Sequence, residues 1–105
     1  MLIREATVND SETIAMLVSE SNKDVAVKFG LDAKNCPKHP SLCTEAWVKA
    51  DFERGERYFI LEEGATPIAC VAYEQPSAEL AYLNRLSALP AYRLRGVGAR
   101  LVQHI

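Results

Sequence analysis

The chain has 105 residues, 49% of them hydrophobic and 25% charged, with 12 Lys and Arg against 14 Asp and Glu for a formal net charge of -2. That length suits one domain with a modest core, residues 1–105, and the charge balance excludes a general nucleic-acid binder, which needs many phosphate-neutralising cations. No apolar run approaches the roughly 20 residues of a membrane span, and "MLIREATVND" lacks the apolar core of a signal peptide, so a cytoplasmic location without membrane association is expected.

In chain order, "LIREAT" alternates apolar and polar residues and predicts a first strand. Asn9 as cap, Glu12 three residues on, and Ile14, Leu17 and Val18 on one face predict a helix from about Ser11 to Glu20. "KDVAVKF" is compatible with a short helix ending at Gly30, and "KNCPKHPS" is irregular because of its prolines. A further helix is predicted from Ser41 or Thr44 through Trp47, Val48 and Phe52 to Gly55. "RYFILEEGATPIACVAYEQ" reads as a hairpin. "LAYLNRLSAL" makes one more strand, Pro90 breaks it, and a glycine-bearing segment opens a helix with Val97, Leu101 and Val102 on its apolar face. The order β, α, α, β, β, β, α predicts an α/β fold with a mixed, mainly antiparallel sheet and flanking helices.

"AYRLRGVGARL" is the most informative stretch. The first amides of a helix lack intrahelical partners and carry the positive end of its dipole. Glycines let the backbone approach an anion closely, so Arg93, Leu94, Arg95, Gly96, Val97 and Gly98 can surround a phosphate, with Arg93, Arg95 and Arg100 adding charge. A P-loop is excluded, since no Gly-Lys-Ser/Thr follows. The dinucleotide fingerprint also fails, because Leu101 stands where its last Gly or Ala belongs.

Arg93-x-x-Gly96-x-Gly98, following a strand and Pro90, resembles the coenzyme A pyrophosphate loop of the GCN5-related N-acetyltransferase (GNAT) superfamily. "LNRLSALPAYRLRGVGARLV" is similar to that family's central strand and following helix, and "IREATVND" and "YFILEEGATPIACVAYE" fall where it has its first three strands. The resemblance covers the N-terminal part of the family domain through the loop, so the closing strands and helix are expected to be missing. It implies acetyl-CoA as acetyl donor, with amides from Arg93 to Ala99 on its pyrophosphate. The backbone of Leu86, Ser87 and Ala88 would pair with the pantetheine arm as an added strand. It also implies an acetyltransferase acting on an unidentified primary amine by direct attack in a ternary complex. The alternatives are a non-catalytic acetyl-CoA-binding half-domain acting through assembly, and a purely structural protein.

Asn84 stands near the position where the family often has a basic Glu, and it cannot serve as a base, so no catalytic residue is assigned. Tyr82, Glu74 and Glu79 lie nearby and read as solvated edge residues. An uncovered strand edge predicts a homodimer in which each copy covers the other's edge. Cys36, His39 and Cys43 are close in sequence, but structural zinc takes four ligands and the other histidine, His104, is remote, so no metal is expected. The three cysteines, with Cys70, read as reduced thiols. A Cys-His nucleophile pair lacks an orienting group. Trp47, Phe52, Tyr58 and Phe59 read mostly as core.

Overall fold

The structure is a computed structural model that describes residues 2–92 together with Arg100, Leu101 and Gln103. β1 (Leu2–Glu5) is followed by α1 (Ser11–Phe29), α2 (Glu45–Glu53), β2 (Arg57–Glu63), β3 (Thr66–Ser77) and β4 (Leu80–Ala88). The strands form one sheet in the order β1-β2-β3-β4, and each described pairing is antiparallel.

α1 runs nine residues past Glu20, through the polar turn at Ser21 and Asn22, so the two expected helical pieces are one helix. Ser21 and Asn22 are poor helix formers when their side chains compete for backbone groups. Here both bond back into the helix: Ser21 Oγ and Asn22 Nδ2 donate to Val18 O at 3.2 and 2.7 Å, which keeps the polar turn helical. Gly30 ends the helix in the left-handed conformation, φ 63°, with its N–H on Ala26 O and Val27 O, a conformation that costs glycine nothing.

α2 begins at Thr44, whose hydroxyl accepts from Trp47 N. Ser41 sits instead in a 3-10 turn, Pro40–Leu42, whose cap is the His39 side chain accepting from Ser41 N. The β2–β3 hairpin closes through Gly64 and Ala65, with Gly64 at φ 63°, as a tight turn requires. An extra residue on β3 between the pairs Leu61–Ala69 and Glu62–Pro67 makes a bulge, which accommodates a proline within the strand.

Alternation along the strands sorts the core onto two faces. Tyr58, Ile60, Cys70 and Ala72 face α1 and α2 and pack with Ile14, Leu17, Val18 and Val48. Phe59, Leu61, Ala69 and Val71 face the other way and pack with Ile68 and Leu101. Leu101 is fully buried there, on the face opposite the two N-terminal helices. Arg4 ties β1 to the start of α1 by a two-pronged pair with Asp10 at 3.0 and 2.9 Å.

Candidate functional site

β4 is an edge strand among the described residues, and it is bent. Ser87 pairs with Cys70 but Asn84 pairs with Ala72, so β4 holds one residue more than β3 between those pairs. Arg85 lies in that bulge and adopts φ 51°, a left-handed conformation that costs a side-chain-bearing residue of order 1 kcal/mol or more. Several contacts hold it there. Arg85 O accepts from Ser87 Oγ at 3.0 Å, and Arg85 Nε donates to Asp51 Oδ2 at 2.8 Å. Its guanidinium carbon lies 5.9 Å from the centroid of the Trp47 ring, within cation–π range.

The bulge sets the direction of the backbone that follows. Leu89 N donates to Ile68 O at 2.9 Å. Successive strand residues point their N–H and C=O groups to opposite edges, so Ser87 directs its own toward β3 and Ala88 directs its own away from it, while Leu86 lies in the bulge. Leu86 is 51% exposed and Ser87 is buried. Of the expected trio Leu86, Ser87 and Ala88, the last two lie in register opposite Cys70 and Ala69, and Leu86 lies in the bulge. Arg93, Leu94, Arg95, Gly96, Val97, Gly98 and Ala99, the expected phosphate cradle, lie outside the described residues.

Asp51 organises the other side of the bulge. It stands on the buried stripe of α2, three residues after Val48, and its side chain is 1% exposed. The Tyr58 hydroxyl donates to Oδ2 at 2.5 Å, Arg85 Nε donates to the same oxygen, and Arg54 Nη2 donates to Oδ1. Burial alone would push this carboxyl up, but the donors from Tyr58, Arg85 and Arg54 outweigh it and hold Asp51 below the usual carboxylate range. The Tyr58 hydroxyl is pushed far up, first by burial and then by the Asp51 carboxylate, so it remains a proton donor. Arg54 Nη2 also donates to Glu56 at 2.9 Å. Sequence reasoning missed this network. The available signal was a carboxylate on the apolar stripe of a helix, which has to be partnered.

Around the network opens a cleft of about 570 Å³ lined by Trp47, Ala50 and Asp51 of α2, Arg54 at its C-terminal end, Arg85 of the bulge, and Pro37 and Lys38 of the preceding loop. A polar recess of about 340 Å³ adjoins it, sharing Asp51, Arg54 and Arg85 and adding Glu56 and Glu74. Trp47, expected in the core, is only partly buried and forms a cleft wall, and Glu74, expected as a solvated edge residue, lines the recess. Tyr82 is exposed on β4 and Glu79 lies exposed in the β3–β4 turn.

His39 Nδ1 is engaged with Ser41, and Cys36, Cys43 and Cys70 are free thiols. Burial pushes the Cys70 thiol up to about 12, which suits a packing role. Among the described residues no group of three His, Cys, Asp or Glu is placed to hold a metal ion, and no helix is long and apolar enough to cross a membrane.

A four-stranded antiparallel sheet carrying two helices on one face, with a bulged edge strand leading to Arg-x-x-Gly-x-Gly, calls for comparison with known proteins. The sequence model of the acetyltransferase (GNAT) family matches residues 18–105. The chain belongs to the GNAT acetyltransferase family. Solved GNAT structures share its fold. Against the PaiA N-acetyltransferase of Thermoplasma acidophilum, solved with coenzyme A, the identity is 18% and the TM-score 0.76, with 99% of this chain and 69% of that one covered. A GCN5-related N-acetyltransferase of Ralstonia eutropha JMP134 gives 21% and 0.66, covering 98% and 71%. A GNAT family acetyltransferase of Brucella melitensis in complex with acetyl-CoA gives 17% and 0.71, covering 98% and 64%. At these identities the likeness is one of fold, and the GNAT chain described here spans about two thirds of each neighbour's length. No curated protein sequence matches it.

Proposed function

We propose that this GNAT chain binds acetyl-CoA and takes part in transferring its acetyl group to a primary amine, by direct attack of the amine in a ternary complex. The observation that carries the reading is the family match over residues 18–105 together with a bulged edge strand running into the Arg93–Gly98 pattern. Acetyl-CoA supplies an activated thioester. The outward backbone groups of Ala88 suit hydrogen bonding to an amide-bearing arm laid along the end of β4. The sequence from Arg93 to Ala99 suits a pyrophosphate, for the reasons of helix-end chemistry given above. Free thiols fit a cytoplasmic setting, and that setting belongs to the proposal.

The half of β4 before the bulge supports a homodimer. Leu80, Tyr82 and Leu83 are large apolar side chains left exposed there, away from the stretch proposed to take the cofactor arm, and such an edge favours pairing with a second copy.

Calorimetric titration of the purified chain with acetyl-CoA tests the cofactor reading, with Gly96→Glu as the control that crowds and repels a pyrophosphate. Binding by the parent and loss in the variant is the expected outcome. A folded parent that binds nothing refutes the proposal. Binding without thiol release across a broad amine panel points instead to a non-catalytic acetyl-CoA-binding module.

A further inference from the structure

The charges around the cleft are not evenly spread. Lys38, Arg54 and Arg85 line it together with the ring of Trp47, and among the described residues Asp51 is its one acid. Asp51 is almost wholly buried and its two oxygens already accept from Tyr58, Arg85 and Arg54, so it offers little to a ligand. The cations offer more. Among the described residues Arg85 engages Asp51 through Nε, and Arg54 engages Asp51 and Glu56 through Nη2, so each guanidinium has further N–H groups beyond those bonds. The recess shares Arg54 and Arg85 and adds Glu74 and Glu56, whose carboxylate Arg54 already engages at 2.9 Å. The joined space therefore has Lys38 and the Trp47 ring toward one end and Glu74 toward the other, with Arg54 and Arg85 common to both.

We infer that the acceptor is a small primary amine that also bears a carboxylate, an amino-acid-like molecule, seated with its carboxylate on Lys38, Arg54 and Arg85 and its amine toward Glu74. This rests on the transferase reading above and names the substrate class of that enzyme. A volume of about 570 Å³ suits a small molecule. Guanidinium groups pair with carboxylates through two parallel N–H bonds. The face of Trp47 and the ring of Pro37 supply apolar walls for the carbon skeleton. A polyamine carries only positive charge and would meet Lys38, Arg54 and Arg85 with no anionic group to pair with them.

Trp47 is the only tryptophan in the chain, so its emission reports cleft occupancy whether or not turnover occurs. The parent is titrated singly with the standard L-amino acids, then with the carboxamide of the best binder and with spermidine. At least one acid should change the emission saturably, its carboxamide should bind about tenfold more weakly, and Lys38→Gln and Arg54→Gln should each weaken the acid by up to about tenfold, as loss of a charge-assisted bond predicts. Circular dichroism of both variants confirms folding. If no acid responds, or if spermidine or the carboxamide binds as well as the acid, the inference is overturned. Acetyl-CoA calorimetry on the same sample separates the two claims: bound acetyl-CoA with spermidine as the only acetylated amine sinks this inference alone, whereas absent acetyl-CoA binding sinks the transferase reading while the emission titration still judges the cleft.

Discussion

Asp51 illustrates how a single side chain can join distant parts of a chain. Its partners are Arg54 one helical turn on, Tyr58 on β2, and Arg85 on β4, 34 residues away. Removing the charge with Asp51→Asn leaves the Arg85 guanidinium without its carboxylate, and should cost about 2–3 kcal/mol at pH 7, toward the lower end for a broken buried pair because Arg85 stays partly wet. The urea midpoint measures this. The pH dependence follows from the depressed carboxyl. A carboxyl held below its unfolded value of about 3.9 contributes stability that is fully present above that value and is lost as pH falls through the folded value. The parent should therefore lose stability below about pH 4 more steeply than Asp51→Asn, and parallel acid-unfolding curves would show that Asp51 is not the titrating group. The carboxylate on the apolar stripe was legible in the sequence. Arg85 as its partner was not, since nothing local to either residue points at the other.

β4 shows the same division one level up. Its existence follows from the apolar residues of "LAYLNRLSAL" and the stop at Pro90. Its bulge does not, because an extra residue in a strand is visible only against the strand it pairs with. The bulge fixes which amides face the open edge, and that gives a paired test. Ala88→Pro removes an N–H that the ladder does not use, so it should leave the urea midpoint nearly unchanged yet weaken acetyl-CoA binding about tenfold if that amide meets the pantetheine arm. Leu89→Pro removes the N–H donated to Ile68 O and should lower the midpoint clearly. Equal acetyl-CoA affinity in Ala88→Pro and the parent would remove Ala88 from the binding surface. α1 carries the opposite lesson. Its apolar periodicity fades at Ser21 and Asn22, and the helix persists because those side chains bond to Val18 O, a local fact that periodicity alone does not register.

For the molecule as a whole, the two-faced sheet explains why cofactor binding and stability should move together. A ligand that binds only the folded state stabilises it by about 2.7 kcal/mol at 100 times its Kd, which for a chain of this size is a rise in Tm of about 4–8 °C. Acetyl-CoA should produce such a rise in the parent and none in Gly96→Glu. The exposed apolar residues of β4 predict a second association: sedimentation at micromolar concentration should give twice the chain mass, and Leu83→Lys should reduce it to the monomer. A parent that sediments as a monomer would leave β4 without the proposed partner.

Strand positions, the helix starts at Ser11 and after Thr44, the β-α-α-β-β-β order and the Arg93-x-x-Gly96-x-Gly98 pattern could be read from the sequence because each depends on residues close together: alternation, capping and turn chemistry act over a few positions. The cleft around Asp51 could not. It exists because a left-handed Arg85 turns its side chain from an edge strand onto Asp51 and Trp47 of a helix, and a contact between α2 and β4 is created by folding the sheet against that helix, where burial forces each polar group to find whichever partner the packing brings within reach.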